Sequence, residues 1–219
     1  MVHNLGKENS IFNQFLAEIR SLDVQEDRMR FRRNMERLGE IFAYEISKTL
    51  DYENKEVTSP LGVSEMPLIK NYPILATILR AGLPLHQGML NYFDHADNAF
   101  ISAYRKHHKN GKFDIELEYV SSPDLDKKTL ILVDPMLATG ASMEVSYKSL
   151  MQFGKPKHTH IVAAIASLEG INYLKRKLNM NRVSIWVGAI DDELTAQSYI
   201  VPGLGDAGDL SFGEKLELD

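Results

Sequence analysis

Cysteine is absent from the 219 residues of this chain. Disulfide bonds, thiolate metal sites and a cysteine nucleophile are therefore excluded. Basic charge is also scarce, since 25 lysines and arginines stand against 30 acidic residues and the net charge is −5. Binding of nucleic acid or anionic membranes through bulk positive charge is therefore disfavoured. No apolar run is long enough to cross a bilayer, and residues 1–10 lack the apolar core of a signal peptide, so we expect a cytoplasmic protein without membrane contact.

The apolar residues are grouped in a way that is typical of one α/β domain. Hydrophobic residues make up 44% of the chain, which is ordinary for a globular protein with a sizeable core. Short apolar runs alternate with amphipathic segments, and no repeat or linker divides them. Alternating strands and helices favour a mainly parallel sheet. We therefore predict a single α/β domain over residues 1–219, with a parallel-sheet core and flanking helices.

The N-terminal part, at about 8–50, has helical spacing. Residues 10–20 place apolar side chains on one face, with Ser10 or Asn9 as the candidate N-cap. A second helix is predicted from about 25 to 50, and it carries Arg28, Arg30, Arg32, Arg33 and Arg37. These arginines either contact a nucleotide phosphate or form a solvated face balanced by Glu26, Asp27, Glu36 and Glu40. The solvated face is the more common arrangement.

The remaining apolar pattern sets the order of strands and helices. It predicts strands over 72–79, 100–105, 130–133, 160–166 and 183–187, and helices over 83–93, 143–153 and 168–178. Residues 52–69 contain a turn between short extended pieces. Residues 106–120 include a basic run and a turn-forming Asn-Gly pair, which predicts an exposed hairpin arm.

Two polar groups are given no chemical role. Asp191-Asp192-Glu193 is interpreted as a solvated acidic turn. The histidines at 107, 108, 158 and 160 have no accompanying carboxylate pattern, so no metal site is predicted on the protein itself.

Residues 129–142 form the stretch around which the chain is organised. An apolar run, Leu130–Val133, predicts a strand buried on both faces, and Asp134 follows as the run ends. The small-residue turn 138–142 and a helix come next. Loop amides and a helix N-terminus direct unpaired N–H groups at an anion, and glycine allows close backbone approach. This arrangement predicts a phosphate site, with Asp134 placed to bind a neighbouring sugar hydroxyl.

Polar residues also follow other predicted strands. Arg80 and Arg105 each come at the predicted carboxyl end of a strand, as Asp134 does. Because ligands bind beyond the carboxyl ends of such strands, we expect the three side chains to meet. A guanidinium group matches phosphate oxygens, so two arginines suit a pyrophosphate.

A glycine-rich run lies near the C-terminus, over 199–209. Gly203, Gly205 and Gly208 satisfy a dinucleotide-binding pattern, but no buried strand and βαβ unit surround them as that pattern requires. The run is either a tight terminal loop or a rigid loop that offers backbone N–H and C=O groups to a flat heterocycle.

These segments resemble a known family. The string Leu132-Val133-Asp134-Pro135-Met136-Leu137-Ala138-Thr139-Gly140 resembles the 5-phosphoribosyl 1-diphosphate (PRPP) motif of phosphoribosyltransferases, and the single acid followed by proline resembles the uracil enzymes. The segments Ile78-Leu79-Arg80-Ala81-Gly82 and Tyr104-Arg105 are similar to the PRPP-contacting segments of that family. The run 199–209 is similar to its uracil loop. The resemblance extends from about the second helix to Gly213.

The resemblance implies a phosphoribosyltransferase-like core with a small C-terminal base-binding lobe. It implies that PRPP contacts Arg80, Arg105, Asp134, Pro135, Met136, Leu137, Ala138, Thr139, Gly140, Ala141, Ser142 and Asp206. It implies uracil contacts at Ile200, Gly205, Asp206 and Ala207, and catalytic roles for Arg105 and Asp206. The expected reaction converts uracil and PRPP to UMP and diphosphate. Mg²⁺ is expected to arrive with PRPP, GTP is a candidate allosteric activator, and a homodimer or higher homo-oligomer is expected.

Two alternatives stay open at the level of sequence. One is a phosphoribosyltransferase for another base, and the other is a phosphoribosyltransferase-like RNA-binding regulator that senses UMP. The sequence also departs from the family pattern, which usually has glycine at position 141 and a basic residue after Asp209. Here Ala141 and Leu210 stand at those positions. We expect some restriction of the loop backbone and altered contacts at 210–214.

Overall fold

The computed structural model describes residues 1–107 and 113–215, with the backbone alone over 103–107 and 113–116. The helices of this part are α1 (Ile11–Arg20), α2 (Leu22–Gln25), α3 (Arg28–Ser47), α4 (Leu83–Tyr92), α5 (Ala141–Leu150), α6 (Leu168–Lys177) and α7 (Ala207–Phe212). The strands are β1 (Val2–Asn4), β2 (Tyr52–Ser59), β3 (Gly62–Ile69), β4 (Ile74–Leu79), β5 (Asn98–His107), β6 (Phe113–Ser121), β7 (Thr129–Val133), β8 (Met136–Leu137), β9 (His158–Ser167), β10 (Val183–Asp191), β11 (Glu193–Leu194) and β12 (Ile200–Val201). Short 3₁₀ helices occupy Leu5–Lys7 and Met151–Phe153.

The central sheet has the strand order β1-β10-β9-β7-β4-β5-β6, with β8 added beside β9. All of its pairings are parallel except that of β6 with β5. The prediction of an α/β fold with a mainly parallel sheet is therefore confirmed. Strand β7 lies in the middle, between β4 and β9.

Helices cover both faces of the sheet. Strand β7 shows why, since Leu130 and Leu132 pack into one core cluster while Ile131 and Val133 pack into the other. Successive side chains of a strand point to opposite faces. All four are fully buried, as the continuous apolar run predicted. One cluster includes residues of α1, α3 and α4, and the other includes residues of α5 and α6.

The N-terminal helices begin where side chains cap them. Ser10 Oγ accepts a hydrogen bond from the N–H of Phe12, as expected of an N-cap. The second long helix begins at Arg28 rather than at 25, because the Asp27 carboxylate accepts the N–H of Arg30. The predicted bounds of about 8–50 for this helical part are otherwise close to those observed.

The chain has a second hairpin besides the arm that the sequence predicted. Strands β2 and β3 form a separate antiparallel hairpin whose residues are almost all exposed. The described part of the predicted arm over 106–120 does form an antiparallel hairpin, since the end of β5 pairs with β6 at the edge of the central sheet. Residues 108–112 of that arm lie outside the described residues.

The arginines of α3 have different partners. Arg33 pairs with Glu36 and Glu40, as the solvated-face interpretation expected. That interpretation is wrong for Arg32, which donates to the backbone carbonyl of Ser211 at 2.7 Å. It also missed the partner of Arg30, since the Nε of this residue lies 2.7 Å from Glu18 Oε2 on α1. No helix among the described residues is both long enough and apolar enough to cross a membrane.

The carboxylate of Glu18 holds α1 against α3. It accepts hydrogen bonds from Arg30 and from the buried amide of Asn34, at 2.7 Å each. The bonds from Arg30 and then Asn34 lower the pKa of Glu18 from 4.5 to about 2. When folding lowers the pKa of a carboxylate, the ionised group stabilises the folded protein at pH values above its unfolded-state pKa. That stabilisation is lost as the pH falls through the folded-state pKa.

We predict that Glu18→Gln lowers the free energy of unfolding at pH 7 by about 1 kcal/mol, because a charge-assisted link between two helices is lost. The difference from the parent protein should shrink as the pH falls from 4.5 towards 2. Urea unfolding of both proteins at several pH values measures this. A difference that stays constant with pH would show that the carboxylate charge is not what stabilises the contact.

Candidate active site

Two predicted site residues follow neighbouring parallel strands. Arg80 comes directly after β4 and Asp134 directly after β7, and the two strands pair with Thr77 opposite Val133. The turns that follow are in close contact, because a Cβ placed on Gly82 would lie 3.2 Å from the carbonyl oxygen of Val133. The structure therefore brings Arg80 and Asp134 to the same edge of the sheet.

Arg105 belongs to the next strand, β5. Leu79 at the end of β4 pairs with Ser102, and β5 runs on to His107. The backbone of Arg105 therefore extends beyond the end of β4 at the same edge, where it pairs with Ile115. The side chain of Arg105 lies outside the described residues, so its contact with a phosphate stays a prediction.

The first half of the predicted PRPP loop is fixed against β9. The N–H of Asp134 donates to Val162 O at 3.1 Å, and the carbonyl of Pro135 accepts the N–H of Ile165 at 3.0 Å. Met136 and Leu137 then pair with β9 as the short strand β8. The side chain of Leu137 is buried in the core. Leu137 can therefore offer a ligand only its backbone.

The second half of that loop is a turn that opens α5. Gly140 has a φ of +84°, and a Cβ there would lie 2.9 Å from the ring of Tyr173. Helix α5 begins at Ala141, slightly earlier than predicted. Alanine is the residue most compatible with helical backbone. The departure from glycine at position 141 therefore does not restrict the loop.

Helix α6 supports the turn from behind. Ser167 Oγ donates to the carbonyl of Ala138 at 2.5 Å and accepts the N–H of Gly170 at 2.8 Å. Tyr173 donates through its hydroxyl to the Glu144 carboxylate on α5. Sequence reasoning missed these residues, although the predicted start of a helix at 168 makes Ser167 its N-cap. The loop at 138–142 therefore has a rigid back formed by α6.

The C-terminal run forms a compact loop followed by α7. Ile200 and Ala207 are each 4% exposed and pack in the core beside α1 and α3, so their side chains are not available to a ligand. Val201, Pro202 and Gly205 are exposed. Peptide bonds at Val201-Pro202 and at Leu79-Arg80 are cis. Any base bound here would meet mainly backbone groups.

Asp206 acts as the N-cap of α7. Its Oδ1 accepts the N–H of Gly208 at 2.8 Å and that of Asp209 at 3.0 Å, and its Oδ2 lies 3.3 Å from Lys215 Nζ. Burial opposes ionisation, but these N–H groups and the Lys215 ammonium outweigh it and hold the pKa of Asp206 below its usual value. Asp206 is therefore ionised at neutral pH, and one of its oxygens is used to hold the helix.

Arg80 joins the phosphate edge to this loop. Its Nη2 donates to Asp209 Oδ1 and to the Gly213 carbonyl, at 2.6 Å in each case. Gly208 also lies against Arg80, since a Cβ there would be 3.6 Å from Nε. The predicted phosphate residues and the predicted base loop therefore form one site at one edge of the sheet.

The interpretation of Asp191 as part of a solvated turn is wrong. The residue is only 8% exposed, and it pairs with Arg20 at 2.8 Å. It also accepts the N–H of Gly203 at 2.9 Å. Burial opposes its ionisation, but Arg20 and this N–H lower the pKa of Asp191 below its usual value. Sequence reasoning missed the pair because its members are far apart in the chain.

A cavity of about 350 Å³ lies at the opposite edge of the sheet, where β7, β9 and β10 begin. It is lined by His158, His160 and Trp186, among others. His160 accepts the indole N–H of Trp186, and burial lowers the pKa of His160 to about 3. Parallel sheets commonly bind ligands at the other edge, where Arg80, Asp134 and the loop at 199–209 lie.

Comparison with known proteins identifies the family of this chain. A family model described as uracil phosphoribosyltransferase matches residues 7–214. The uracil phosphoribosyltransferase of Porphyromonas gingivalis is 54% identical over 215 residues, which cover 98% of this chain and 99% of that protein. The uracil phosphoribosyltransferase of Pyrococcus furiosus is 38% identical over 208 residues, which cover 94% of this chain and 87% of that protein.

Solved structures agree with this relationship. A protein of Aquifex aeolicus superposes with a TM-score of 0.86 at 29% identity, and the match covers 99% of this chain and all of that one. The adenine phosphoribosyl transferase of Trypanosoma brucei shares the fold, with a TM-score of 0.58 at 11% identity over 90% of this chain and 86% of that one. The chain therefore belongs to the uracil phosphoribosyltransferase family.

Proposed function

We propose that this protein transfers the phosphoribosyl group of PRPP to uracil, forming UMP and diphosphate. The observation that carries the proposal is the joining of two loops, because Arg80 of the phosphate edge is bonded directly to Asp209 and Gly213 beside the base loop. Family membership over residues 7–214 supports the same reaction. Purified protein incubated with uracil, PRPP and Mg²⁺ should form UMP, and an absence of UMP under varied conditions would contradict the proposal.

Phosphate groups have a suitable place in this arrangement. The turn at 138–142 would bind the 5′-phosphate through backbone N–H groups and the hydroxyls of Thr139 and Ser142. The Ala141 N–H donates to Thr139 Oγ1 at 3.4 Å, and Ser167, the N-cap of α6, holds the turn through Ala138. Arginine carries five N–H donors, and the bonds from Arg80 to the C-terminal segment use Nη2. The rest of the fork is suited to the diphosphate. Asp134 is placed at the adjacent strand end to orient ribose hydroxyls.

The reaction needs charge stabilisation more than a nucleophilic side chain. The bond from uracil N1 to the ribose C1′ forms, the bond from C1′ to the diphosphate oxygen breaks with its electron pair leaving on that oxygen, and the proton of N1 passes to water. Positive charge develops on the ribose and negative charge on the diphosphate. Arg80 and Arg105 would stabilise the leaving diphosphate, and the two loops would hold the reactants in line.

Mg²⁺ fits the chemistry of the site. The ion prefers oxygen ligands and often binds through substrate phosphates with one or two carboxylates. Asp134 provides a carboxylate beside the phosphate loop. When bound, Mg²⁺ would neutralise diphosphate charge. Activation by GTP also stays a prediction from the family resemblance, and addition of GTP to the same assay tests it.

Base choice would depend on backbone groups of the loop at 199–209. Uracil presents an acceptor, a donor and an acceptor along O4, N3–H and O2, and N–H, C=O and N–H groups match this order. Cytosine would place its amine donor against a backbone N–H and its unprotonated N3 against a backbone C=O. Unpaired buried polar groups cost about 1–3 kcal/mol each, so two mismatches imply discrimination on the order of 10²–10⁴. If cytosine or hypoxanthine is converted as efficiently as uracil, uracil is not the preferred base of this enzyme.

The amide of Ala207 provides a test of this recognition. Among the described residues it has no acceptor, whereas the next two amides of α7 donate to Asp206. Ala207 is the first residue of α7, a position that favours proline, and Asp206 has the extended backbone that proline requires before it.

We predict that Ala207→Pro keeps the fold but loses this one donor. The kcat/KM for uracil should fall by about 10- to 100-fold, while the KM for PRPP changes little. Steady-state kinetics with each substrate varied measures the two effects. Ala207→Gly keeps the N–H and is the matched control. A proline variant that still uses and selects uracil normally would remove the basis for placing the base there.

Arg105 provides a test of the diphosphate contact. We predict that Arg105→Ala lowers kcat/KM for PRPP by about 30-fold to several-thousand-fold, because losing one partner of a desolvated charge pair costs about 2–5 kcal/mol. Arg33→Ala removes an exposed, ion-paired arginine of α3 and is the control. Unchanged kinetics in Arg105→Ala would mean that the residue does not contact PRPP.

We also propose that the protein forms a homodimer or higher homo-oligomer through the β2–β3 hairpin. Three exposed apolar residues, Val57, Met66 and Leu68, lie on the same face of this hairpin in the observed register. An isolated two-stranded hairpin is at best marginally stable, and an exposed apolar patch on a protein commonly marks an interface. A second copy of the chain would cover this surface.

A cytoplasmic location stays a prediction from the sequence.

We predict that Met66→Lys combined with Leu68→Lys weakens the oligomer, because charges would be buried in an apolar interface. Size-exclusion chromatography with light scattering over a range of concentrations measures the mass. Leu168→Gln changes an exposed apolar residue of α6 and is the control. A parent protein that is monomeric, or a variant with unchanged mass, would contradict this assignment.

A further inference from the structure

The loop at 199–209 is held on its inner side by a charged pair that the reaction itself does not use. Both Nη atoms of Arg20 donate to the Asp191 carboxylate, at 2.8 Å each. Arg20 Nη1 also donates to the carbonyl of Gly203 at 2.9 Å. Asp191 Oδ2 accepts the N–H of Gly203 at 2.9 Å. The pair therefore binds both polar backbone groups of a single loop residue.

Gly203 is a position where only backbone contacts can fix the loop. Its φ is +55°, and a Cβ there would lie 2.1 Å from the carbonyl oxygen of Ile200. No side chain fits, so packing of a side chain at 203 cannot set the position of the turn. The charged pair replaces that packing, with a bidentate geometry that fixes direction as well as distance.

The pair is protected from water. The side chains of Arg20 and Asp191 are 22% and 7% exposed. Interactions between partly buried charges are screened little by salt, and removing one partner leaves the other uncompensated. A neighbouring residue strengthens the attachment, because Gln25 lies with its amide 2.9 Å from the carbonyl of Leu204 when Nε2 is taken as the donor.

We propose that Arg20 and Asp191 are positioning residues for base recognition, an inference that rests on the proposed assignment of the base to this loop. They do not touch the base. They hold Gly203 so that the exposed backbone groups from Val201 to Ala207 keep the spacing that uracil requires. Sites of this kind must be held within about 0.5 Å of the productive geometry, so a released loop loses base affinity before it loses PRPP affinity.

Asp191→Asn tests the proposal with little change of shape. The KM for uracil should rise at least tenfold and the preference for uracil over cytosine should fall, while the KM for PRPP stays within about twofold. Arg20→Lys keeps the charge but not the fork, and it should give an intermediate KM for uracil. Arg20→Ala should be at least as impaired as Asp191→Asn.

Glu18→Gln is the matched control, because it removes an ion pair of the same helix, α1, that faces α3 instead of the loop. It should lower the melting temperature and leave both KM values unchanged. If the KM for uracil rises equally in Glu18→Gln and Asp191→Asn at similar loss of stability, the pair is merely structural and the proposal is overturned. Equal rises in both KM values of Asp191→Asn overturn it as well.

The failure of this inference differs from failure of the proposed function. A parent protein that forms UMP, with an Asp191→Asn variant of normal uracil kinetics and base preference, overturns the positioning role alone. A parent protein that forms no UMP overturns the proposed function. In that case uracil and PRPP binding, measured by calorimetry on the parent and on Asp191→Asn, still tests whether Asp191 acts on the base loop.

Discussion

The parallel pairing of β7 with its two neighbours is the constraint on which the site depends. It places the carboxyl ends of β4, β7 and β9 at one edge, and the chain leaves each strand there with a different polar group or loop. The pairing is stabilised by burial of Leu130–Val133 in β7, because buried backbone groups must find hydrogen-bond partners and a parallel ladder provides them. The register of this pairing therefore determines which residues reach the site, since a slip of one residue would exchange the two faces of the strand.

The second constraint is the attachment of the C-terminal segment to the rest of the domain. Arg80 bonds to it from the strand edge, and Arg32 bonds to it from α3. Arg20 and Asp191 hold its earlier part at Gly203. Three arginines from separate parts of the chain thus bind carbonyl groups of one segment. A loop with glycines at 203, 205, 208 and 213 has little internal stiffness, so these contacts supply it.

Three carboxylates of this protein hold separate segments of the chain together. Glu18, Asp191 and Asp206 are each held by hydrogen bonds to two or more groups, and each has a lowered pKa. An ionised group leaves water at a cost that only such bonds offset. The arrangement ties α1, the base loop and α7 to one another. The N-terminal helices, which carry no recognisable motif in their first residues, are therefore connected physically to the proposed base site.

Sequence alone determined the features that depend on local pattern. The apolar run at 130–133 specified a strand buried on both faces, Ser10 specified a helix start, and the string from 132 to 140 specified the family and the turn that opens α5. The alternation of strands and helices specified the parallel sheet. Each of these follows from residues that are neighbours in the chain, where spacing and conformational preference act.

Tertiary structure decided what depends on residues that are distant in the chain. Asp191 looked like a solvated acidic residue until the fold placed Arg20 beside it. Ser167 and Tyr173 support the turn at 138–142 only because α6 packs against α5. Strand β6 extends the central sheet because it pairs with β5, whereas β2 and β3 pair only with each other in a separate hairpin. The physical reason is that burial and pairing are properties of contacts between segments, and no local pattern records which segments will meet.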